Sequence, residues 1–451
     1  MLTAIIRKCP NTQTMLAATD EQQDSHEQSL PNETVQPVNS QKTNNNKPIS
    51  QFLPLDAGKR PAVTSNELQH EVEVDDCSTK VGSAKNKRHK AWRHGNLAHM
   101  LSTEISPLPL NRKPFYWKAK HIGLELYPNI DQIKNHYVRR PRPEELQAAS
   151  DVVAGPGWKL FDRGLNILFD GDKKDGRIIA VIEFIEWDDL DEKTKDEINL
   201  VSTFLHDSTR FVNDIKSRCW GGNMWAIGWR KAMVKAEIIG RYIKQAAVNL
   251  APEMFDELFK SSASVARTLG NMFQKMGSIP FKNNQEIMRS NGIPDFADLS
   301  FTDRNTKLAG SPHITYTTNG FYNSPHEDKK DKSDFAFALF VPTFKETGQL
   351  ASPSDGYSLK SGSFVFPDHR AGIDFSRTTG IVRMIWRAKD YKHCTLPHPE
   401  DSVFTRLALS LQINLNLLNA CSKYKKGTHT GISMGDHYQY LSKALKVFHK
   451  N

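Results

Sequence analysis

Beyond Gly310 the chain breaks into a series of short apolar runs: "HITYTTNGFY", "DFAFALFVPTF", "SGSFVFPDH", "GIVRMIWRA" and "VFTRLALSLQI". Each has the length of a strand and is rich in aromatic and β-branched residues, and clusters of Gly, Pro, Asp or Ser separate them. Five such runs in roughly a hundred residues point to a β-sandwich or jelly roll.

Upstream the pattern is mixed. "WKLFDRGLNILFD" and "GRIIAVIEFIEW" read as strands, and "GDKKDG" between them carries two Asp/Gly turn signals, so a β-hairpin is expected. "DDLDEKTKDEINLVSTFLHDSTRFVNDI" opens on acidic residues and places Leu190, Ile198, Val201, Leu205, Val212 and Ile215 at helical spacing. Acidic residues at its start complement the helix dipole. Trp220, Trp225 and Trp229 fall within ten residues and read as core packing. "RKAMVKAEIIGRYIKQAA" reads as a basic helix in which Arg230, Lys231, Lys235, Arg241 and Lys244 form either a phosphate-facing stripe or a solvated face. "PEMFDELFKSSASVARTLGNMFQKM" reads as an amphipathic helix with Pro252 at its start, "NNQEIMRSNGIPDFADLSFTDRNTKLAG" as loop, and Asp436 to His449 as a closing helix.

A polar tail precedes the folded region. The chain has 451 residues, room for two or three domains or one large domain with a tail. Residues 10–90 are rich in Gln, Asn, Ser and Thr and nearly devoid of aromatics, too polar to offset the entropy of ordering. Trp, Phe, Tyr and Ile become frequent from about Phe115. The expected organisation is a disordered tail over 1–110 and a folded domain over 111–451, helix-rich first, with a jelly-roll core at about 310–420. The fold class is α+β.

Net charge is +9, which fits a polyanion partner without requiring one. The densest basic stretch, Lys85 to His94 ("KNKRHKAWRH"), reads as a nuclear localisation signal, a phosphate-binding arm or a solvated charge run. A nuclear location is expected on that basis, with the cytoplasm as the alternative. Cys9, Cys77, Cys219, Cys394 and Cys421 form no CxxC motif, so no structural zinc is expected and a reducing compartment suits them. No run is long enough to span a membrane, because Glu183 and Glu186 interrupt the longest, "IIAVIEFIEW". The apolar stretch at the N-terminus is too short for a secretory signal, and acidic residues from Asp20 on argue against a long mitochondrial transit peptide. Nothing in the sequence sets an oligomeric state.

The loop between the first two of the five runs contains His326-Glu327-Asp328. With 16 His in the chain, roughly one His-x-Asp arises by chance, so the tripeptide alone decides nothing. In extended backbone, residues i and i+2 project to one side, and His326 and Asp328 can then aim a nitrogen and an oxygen at one point. Non-heme Fe(II) oxygenases use two His and one carboxylate on one face of the metal. His393 in "WRAKDYKHCTLP" supplies a second imidazole. Arg406, about a dozen residues on in "VFTRLALSLQI", has the fork geometry that holds a carboxylate. His-x-Asp, a distant His and an Arg on the next strand is the order of an iron and 2-oxoglutarate site. His398-Pro399-Glu400 is a rival pair, but Pro399 and its Pro-rich setting suggest a loop.

From Trp158 to Lys446 the chain resembles the fungal Tet-like 2-oxoglutarate/Fe(II) oxygenase domains, relatives of the TET/JBP methylpyrimidine dioxygenases. The resemblance is carried by "GFYNSPHEDKKDKSDFAFALFVP", "SGSFVFPDHRAGIDF", "GIVRMIWRAKDYKHCT" and "MWAIGWRKAM". It implies a double-stranded β-helix core with flanking helices. It implies Fe(II) held by His326, Asp328 and His393, the distal carboxylate of 2-oxoglutarate held by Arg406, and dioxygen as the oxidant. The implied reaction is oxidation of the methyl of 5-methylcytosine in DNA, coupled to decarboxylation of 2-oxoglutarate. Tyr316 near the co-substrate, and Asn319 and Asn323 near the substrate, are candidate pocket residues, with turn or core roles as the alternatives and a turn favoured for Asn319-Gly320. The cysteine-rich zinc region of the animal TET enzymes has no counterpart in the five scattered cysteines, which leaves the mode of DNA engagement open. The same chemistry on RNA or protein, and a non-catalytic DNA-binding descendant, stand as alternatives.

Overall fold

The computed structural model describes residues 95–428, apart from 107–111, 131–138, 173–175, 217–218, 234–237, 299–300, 302–306, 360 and 400. The expected disordered tail up to residue 94, the basic stretch Lys85–His94 and the closing helix at Asp436–His449 lie outside the described residues. Helix α1 covers residues 95–104. Strand β1 (Phe115–Ala119), α2 (Pro143–Ala154), β2 (Lys159–Phe161), β3 (Leu165–Asp170), β4 (Ile178–Ile185) and α3 (Glu192–Ser208) follow. Next come β5 (Gly221–Lys231), β6 (Ile239–Tyr242), α4 (Gln245–Leu250), α5 (Pro252–Lys260), α6 (Ser262–Met276) and α7 (Ser278–Asn291). The last third holds β7 (His313–Tyr322), β8 (Ala336–Phe344), β9 (Phe364–Phe366), β10 (Ala371–Ile373), β11 (Ile381–Trp386), β12 (Cys394–Thr395), β13 (Phe404–Gln412) and α8 (Leu415–Lys425).

The strands form two sheets, one of nine strands in the order β1-β3-β4-β11-β8-β13-β7-β5-β6 and one of four in the order β12-β9-β10-β2. Alternation along each strand sends side chains to two different cores. On β8 and β11, Ala338, Phe340, Met384 and Trp386 face the small sheet and meet Phe364, Phe366 and Phe375. The intervening Phe337, Leu339 and Ile385 join Leu407, Leu409 and Leu411 of β13 in packing against the helices. Phe273 of α6 stacks on Phe337 with ring centroids 5.4 Å apart. With both faces covered, β8 is buried along nearly its whole length, and its sequence therefore reads as an unbroken apolar run. The result is the expected α+β class, a jelly-roll core with helices on one face.

Several local expectations change. The fold starts before residue 110: Leu97, Met100 and Ile105, in and just after α1, are buried in the helix-side core. Three apolar contacts, each contributing about 1.5–3 kcal/mol when fully buried, are enough to dock a short helix whose surroundings look like tail. "WKLFDRGLNILFD" holds two strands on different sheets; β3 pairs antiparallel with β4 as expected, while β2 pairs parallel with β10. The expected basic helix is instead an antiparallel pair, β5 with β6, in register from Gly228↔Tyr242 to Lys231↔Ile239. Trp229 and Arg241 are register partners, as are Lys231 and Ile239, so these charged and apolar side chains share a face. Arg241 is no phosphate ligand: it lies over Trp229 at 4.5 Å and donates to the carbonyls of Phe296 and Asp298. Arg230 covers the Tyr242 ring at 4.7 Å, and Lys235 lies outside the described residues.

Helix α3 begins as its acidic start predicts, with the Asp191 carboxylate accepting from the Thr194 amide at 2.6 Å. It ends at Ser208, so Val212 and Ile215 pack from the following loop. The long amphipathic segment is two helices, α5 and α6, meeting at Ser261. The expected loop begins inside α7, which ends at Gly292 in the left-handed region with φ 67°.

Candidate metal centre

His326 lies on the connection from β7 to β8, and His393 on the connection from β11 to β12. The two residues form an isolated antiparallel bridge, with amide-to-carbonyl bonds of 3.0 and 2.9 Å in the two directions. The Asp328 amide donates to the Ala388 carbonyl at 2.9 Å. Backbone pairing therefore joins two stretches that are more than sixty residues apart in sequence, and the side chains follow.

His326 Nε2 is 3.6 Å from Asp328 Oδ1, and His393 Nε2 is 3.9 Å from Asp328 Oδ2. The three ligand atoms all lie within 4.8 Å of one another. His326 Nδ1 is 2.8 Å from the Ser324 carbonyl and His393 Nδ1 is 3.0 Å from the Tyr391 carbonyl. A carbonyl only accepts, so each Nδ1 carries the hydrogen and each Nε2 turns a lone pair toward Asp328. The His393 ring stacks on Phe364 at 5.5 Å and meets the edge of Trp386 at 5.6 Å. Its orientation is thus fixed by aromatic packing as well as by Nδ1.

A fourth residue completes the cluster. Gln412, at the end of β13, donates from Nε2 to Asp328 Oδ2 at 2.7 Å and holds the carboxylate in place. Sequence reading missed it. The signal was period two: Arg406, Ala408, Ser410 and Gln412 share one face of β13.

The cluster opens on a cavity of about 290 Å³ lined by Thr315, Thr317, Asn323, Phe340, Trp386 and Ser410, among others. Arg406 does not line it but lies one two-residue step beyond Ala408 on the same face of β13. Arg406 is 7 % exposed, donates to the Gly362 carbonyl at 2.7 Å and covers the Phe375 ring at 4.0 Å. No carboxylate pairs with it among the described residues. Burial pulls its pKa down to about 10, slightly opposed by Tyr357. A buried guanidinium with unused donors is suited to an incoming carboxylate.

The donor set therefore fits the implied groups: two imidazoles of fixed tautomer and one carboxylate for a ferrous ion, and a buried guanidinium for a dicarboxylate co-substrate.

The other candidates divide. Tyr316 is not a co-substrate residue: it points to the helix side, stacks on Trp225 at 5.5 Å and shares a 2.7 Å hydrogen bond with Ser208. Its neighbours Thr315 and Thr317 line the cavity instead, as alternation requires. Asn319 is turned away as well. It adopts φ 57° at an irregularity in the pairing of β5 with β7, and it bonds Asn223 and Thr405. Opposite it Gly222, also left-handed at φ 67°, leaves no room for a Cβ, which would lie 2.3 Å from the Phe321 amide. Asn323 does line the cavity, and its Oδ1 accepts from the Thr395 amide at 2.9 Å. His398 of the rival pair packs beside Gly362, away from the cluster; burial and then the Arg406 charge pull its pKa down to about 4. Glu400 lies outside the described residues.

Residues 191–398 match the family model of the Tet-like 2OG-Fe(II) oxygenase superfamily, a span that contains His326, Asp328 and His393 and ends before Arg406. No curated protein matches the chain. Among solved structures, NgTET1 in complex with 5mC DNA aligns at 11% identity over 66% of this chain and 89% of that one, with a TM-score of 0.34. A Pseudomonas putida prolyl-4-hydroxylase aligns at 12% identity over 52% and 92%, TM-score 0.23. An oxidoreductase of the 2OG-Fe(II) oxygenase family from Burkholderia pseudomallei aligns at 12% over 52% and 87%, TM-score 0.26. At these scores the overlays carry no weight, and the site reading stands on the family match and the side-chain geometry.

Proposed function

Because residues 191–398 belong to the Tet-like 2OG-Fe(II) oxygenase superfamily, we propose that this enzyme oxidises the methyl group of 5-methylcytosine in DNA. Membership fixes the reaction class: Fe(II) is the cofactor, with 2-oxoglutarate and dioxygen as co-substrates. The observation that carries the reading is the His326–Asp328–His393 cluster at the wall of a substrate-sized cavity. Bound iron with its co-substrates supplies the oxidising power that breaks a methyl C–H bond.

The chain's own residues do the rest. His326, Asp328 and His393 hold the ion, and Gln412 keeps the Asp328 carboxylate turned toward it. Arg406 receives the distal carboxylate of 2-oxoglutarate. Phe340, Phe364 and Trp386 exclude water. In duplex DNA the methyl is out of reach until the nucleotide turns out of the stack, at a cost of a few kcal/mol. Exposed Lys329, Lys330 and Lys332, just past Asp328, supply positive charge that supports a backbone-phosphate partner in this reading. The net charge of +9 agrees with such a partner. The basic stretch Lys85–His94 belongs to the same proposal, as a phosphate-binding arm or nuclear signal. The catalytic unit is residues 111–451 with α1 added at its front.

The test is incubation of the protein with Fe(II), 2-oxoglutarate and methylated duplex DNA, followed by mass spectrometry of the nucleosides. 5-Hydroxymethylcytosine is the expected product. Succinate formed without an oxidised base would reject this substrate and direct the search to RNA or peptides.

A further inference from the structure

Along β13 the cavity-facing residues run from Ala408 to Gln412, with Arg406 one step beyond at one end of the row. At the other end Gln412 is in register with His313 of β7, which also lines the cavity. His313 is 6 % exposed, and among the described residues its Nδ1 has no hydrogen-bond partner. A buried ring nitrogen left unpaired is costly unless something entering the cavity pairs with it. Neither the metal cluster nor the place of the distal carboxylate uses it.

Two more side chains stand on the same face at this end. Gly228 of β5 is in register with His313 on one side and with Tyr242 of β6 on the other. Because Gly228 has no side chain, the two rings meet across β5 with centroids 5.9 Å apart. A Cβ there would lie 2.5 Å from the Pro312 carbonyl oxygen. Tyr242 lines the cavity. Arg230, two residues past Gly228 and so on the same face, lies over the Tyr242 ring at 4.7 Å. Its Nε donates to the Lys231 carbonyl at 3.3 Å, and no carboxylate pairs with it among the described residues.

We propose that His313, Tyr242 and Arg230 form the seat of one nucleotide: His313 pairs with the polar edge of the extruded pyrimidine, Tyr242 packs against its ring, and Arg230 holds its phosphate. This deepens the nucleic-acid reading of the same cavity and rests on it. Burial, and then the Arg230 charge, lowers the His313 pKa to about 4, so near pH 7 the imidazole is neutral and offers one N–H and one lone pair. An uncharged ring with donors and acceptors on its edge matches it, and a charged side chain does not. A guanidinium stacked on an aromatic ring and free of carboxylates is prearranged for a phosphate. A heterocycle with an anion attached is a nucleotide and not a peptide side chain. The nucleotide and the distal carboxylate of the co-substrate then occupy opposite ends of the β13 row.

The test is fluorescence anisotropy of the full chain with two labelled duplexes. One bears 5-methylcytosine opposite an abasic site, and the other is abasic in both strands at that position. The abasic partner removes much of the cost of extrusion. The wild-type chain should bind the first duplex about tenfold more tightly. Tyr242→Ala and His313→Leu should each remove most of that preference. Arg230→Gln should weaken both duplexes and reduce the slope of log K against log salt by about 1. Tyr242 and Arg230 are half-buried, so their variants test the seat even where His313→Leu unfolds. Equal binding of the two duplexes by the wild-type chain, a preference that survives in Tyr242→Ala, or an unchanged salt slope in Arg230→Gln overturns the proposal. Mass spectrometry of the nucleosides judges the reaction separately. The expected losses without any 5-hydroxymethylcytosine reject the oxidation and leave the seat standing, whereas product formed with the preference intact in Tyr242→Ala rejects the seat alone.

Discussion

Replacing Arg406 with Met should raise stability while removing co-substrate binding. Arg406 is 7 % exposed, and its guanidinium donates to no carboxylate among the described residues. Its pKa, drawn from 12.5 to about 10 by burial, puts the cost of keeping it charged there at about 3 kcal/mol. Against that cost stand the hydrogen bond to Gly362 and the contact with Phe375, about 1 kcal/mol each. An apolar side chain of similar length therefore stabilises the free protein by roughly 1 kcal/mol, in line with other buried charges exchanged for hydrophobic groups. For a domain this large that raises Tm by about 2–4 °C. A bidentate contact to 2-oxoglutarate contributes about 2–4 kcal/mol, so the KM for co-substrate should rise about 30- to 1000-fold. The assays are thermal unfolding without and with 2-oxoglutarate, and succinate release against its concentration. A variant that melts several degrees lower without co-substrate, or one whose KM is unchanged, would show that Arg406 is a structural residue and refute the reasoning.

Other perturbations separate the parts of the site. Gln412→Leu leaves Asp328 without its 2.7 Å anchor and should weaken Fe(II) binding about 10- to 100-fold, measured by anaerobic titration. Tyr316→Phe breaks only the bond to Ser208; it should cost about 1 kcal/mol in urea unfolding and leave the KM for 2-oxoglutarate unaltered. His313 is buried, and burial lowers its pKa from 6.5 to about 4, so the folded state binds its proton later than the unfolded chain does. Its contribution is complete above pH 6.5 and is lost as pH falls from there to about 4. His313→Leu should therefore reduce the loss of stability between pH 7 and pH 4.5 by up to roughly 3 kcal/mol, read from paired urea curves.

The strands beyond Gly310 were legible because both faces of β8 and β11 are buried, which forces continuous apolar runs between turn residues. The candidate ligand cluster was legible as residue types and in order, although no local rule shows that His326 and His393 pair through their backbones. The β5–β6 pair was not legible: "RKAMVKAEIIGRYIK" satisfies a helical pattern of charges, and only the tertiary burial of Trp229 and Ile239 selects the extended form. Tyr316 was misplaced for a simpler reason. Nearness in sequence to His326 suggested the cavity, while alternation along β7 turns the ring to the opposite face. Gln412 becomes visible only when strands distant in sequence are brought side by side.

The most direct measurement is anaerobic addition of Fe(II) to the protein with 2-oxoglutarate, followed by the visible charge-transfer band of the chelated ion. The wild-type chain should develop the band at one equivalent of iron, and His326→Ala, Asp328→Ala and His393→Ala should each abolish it. A band that survives any of these substitutions, or none in the wild-type protein, contradicts the shared ligand set.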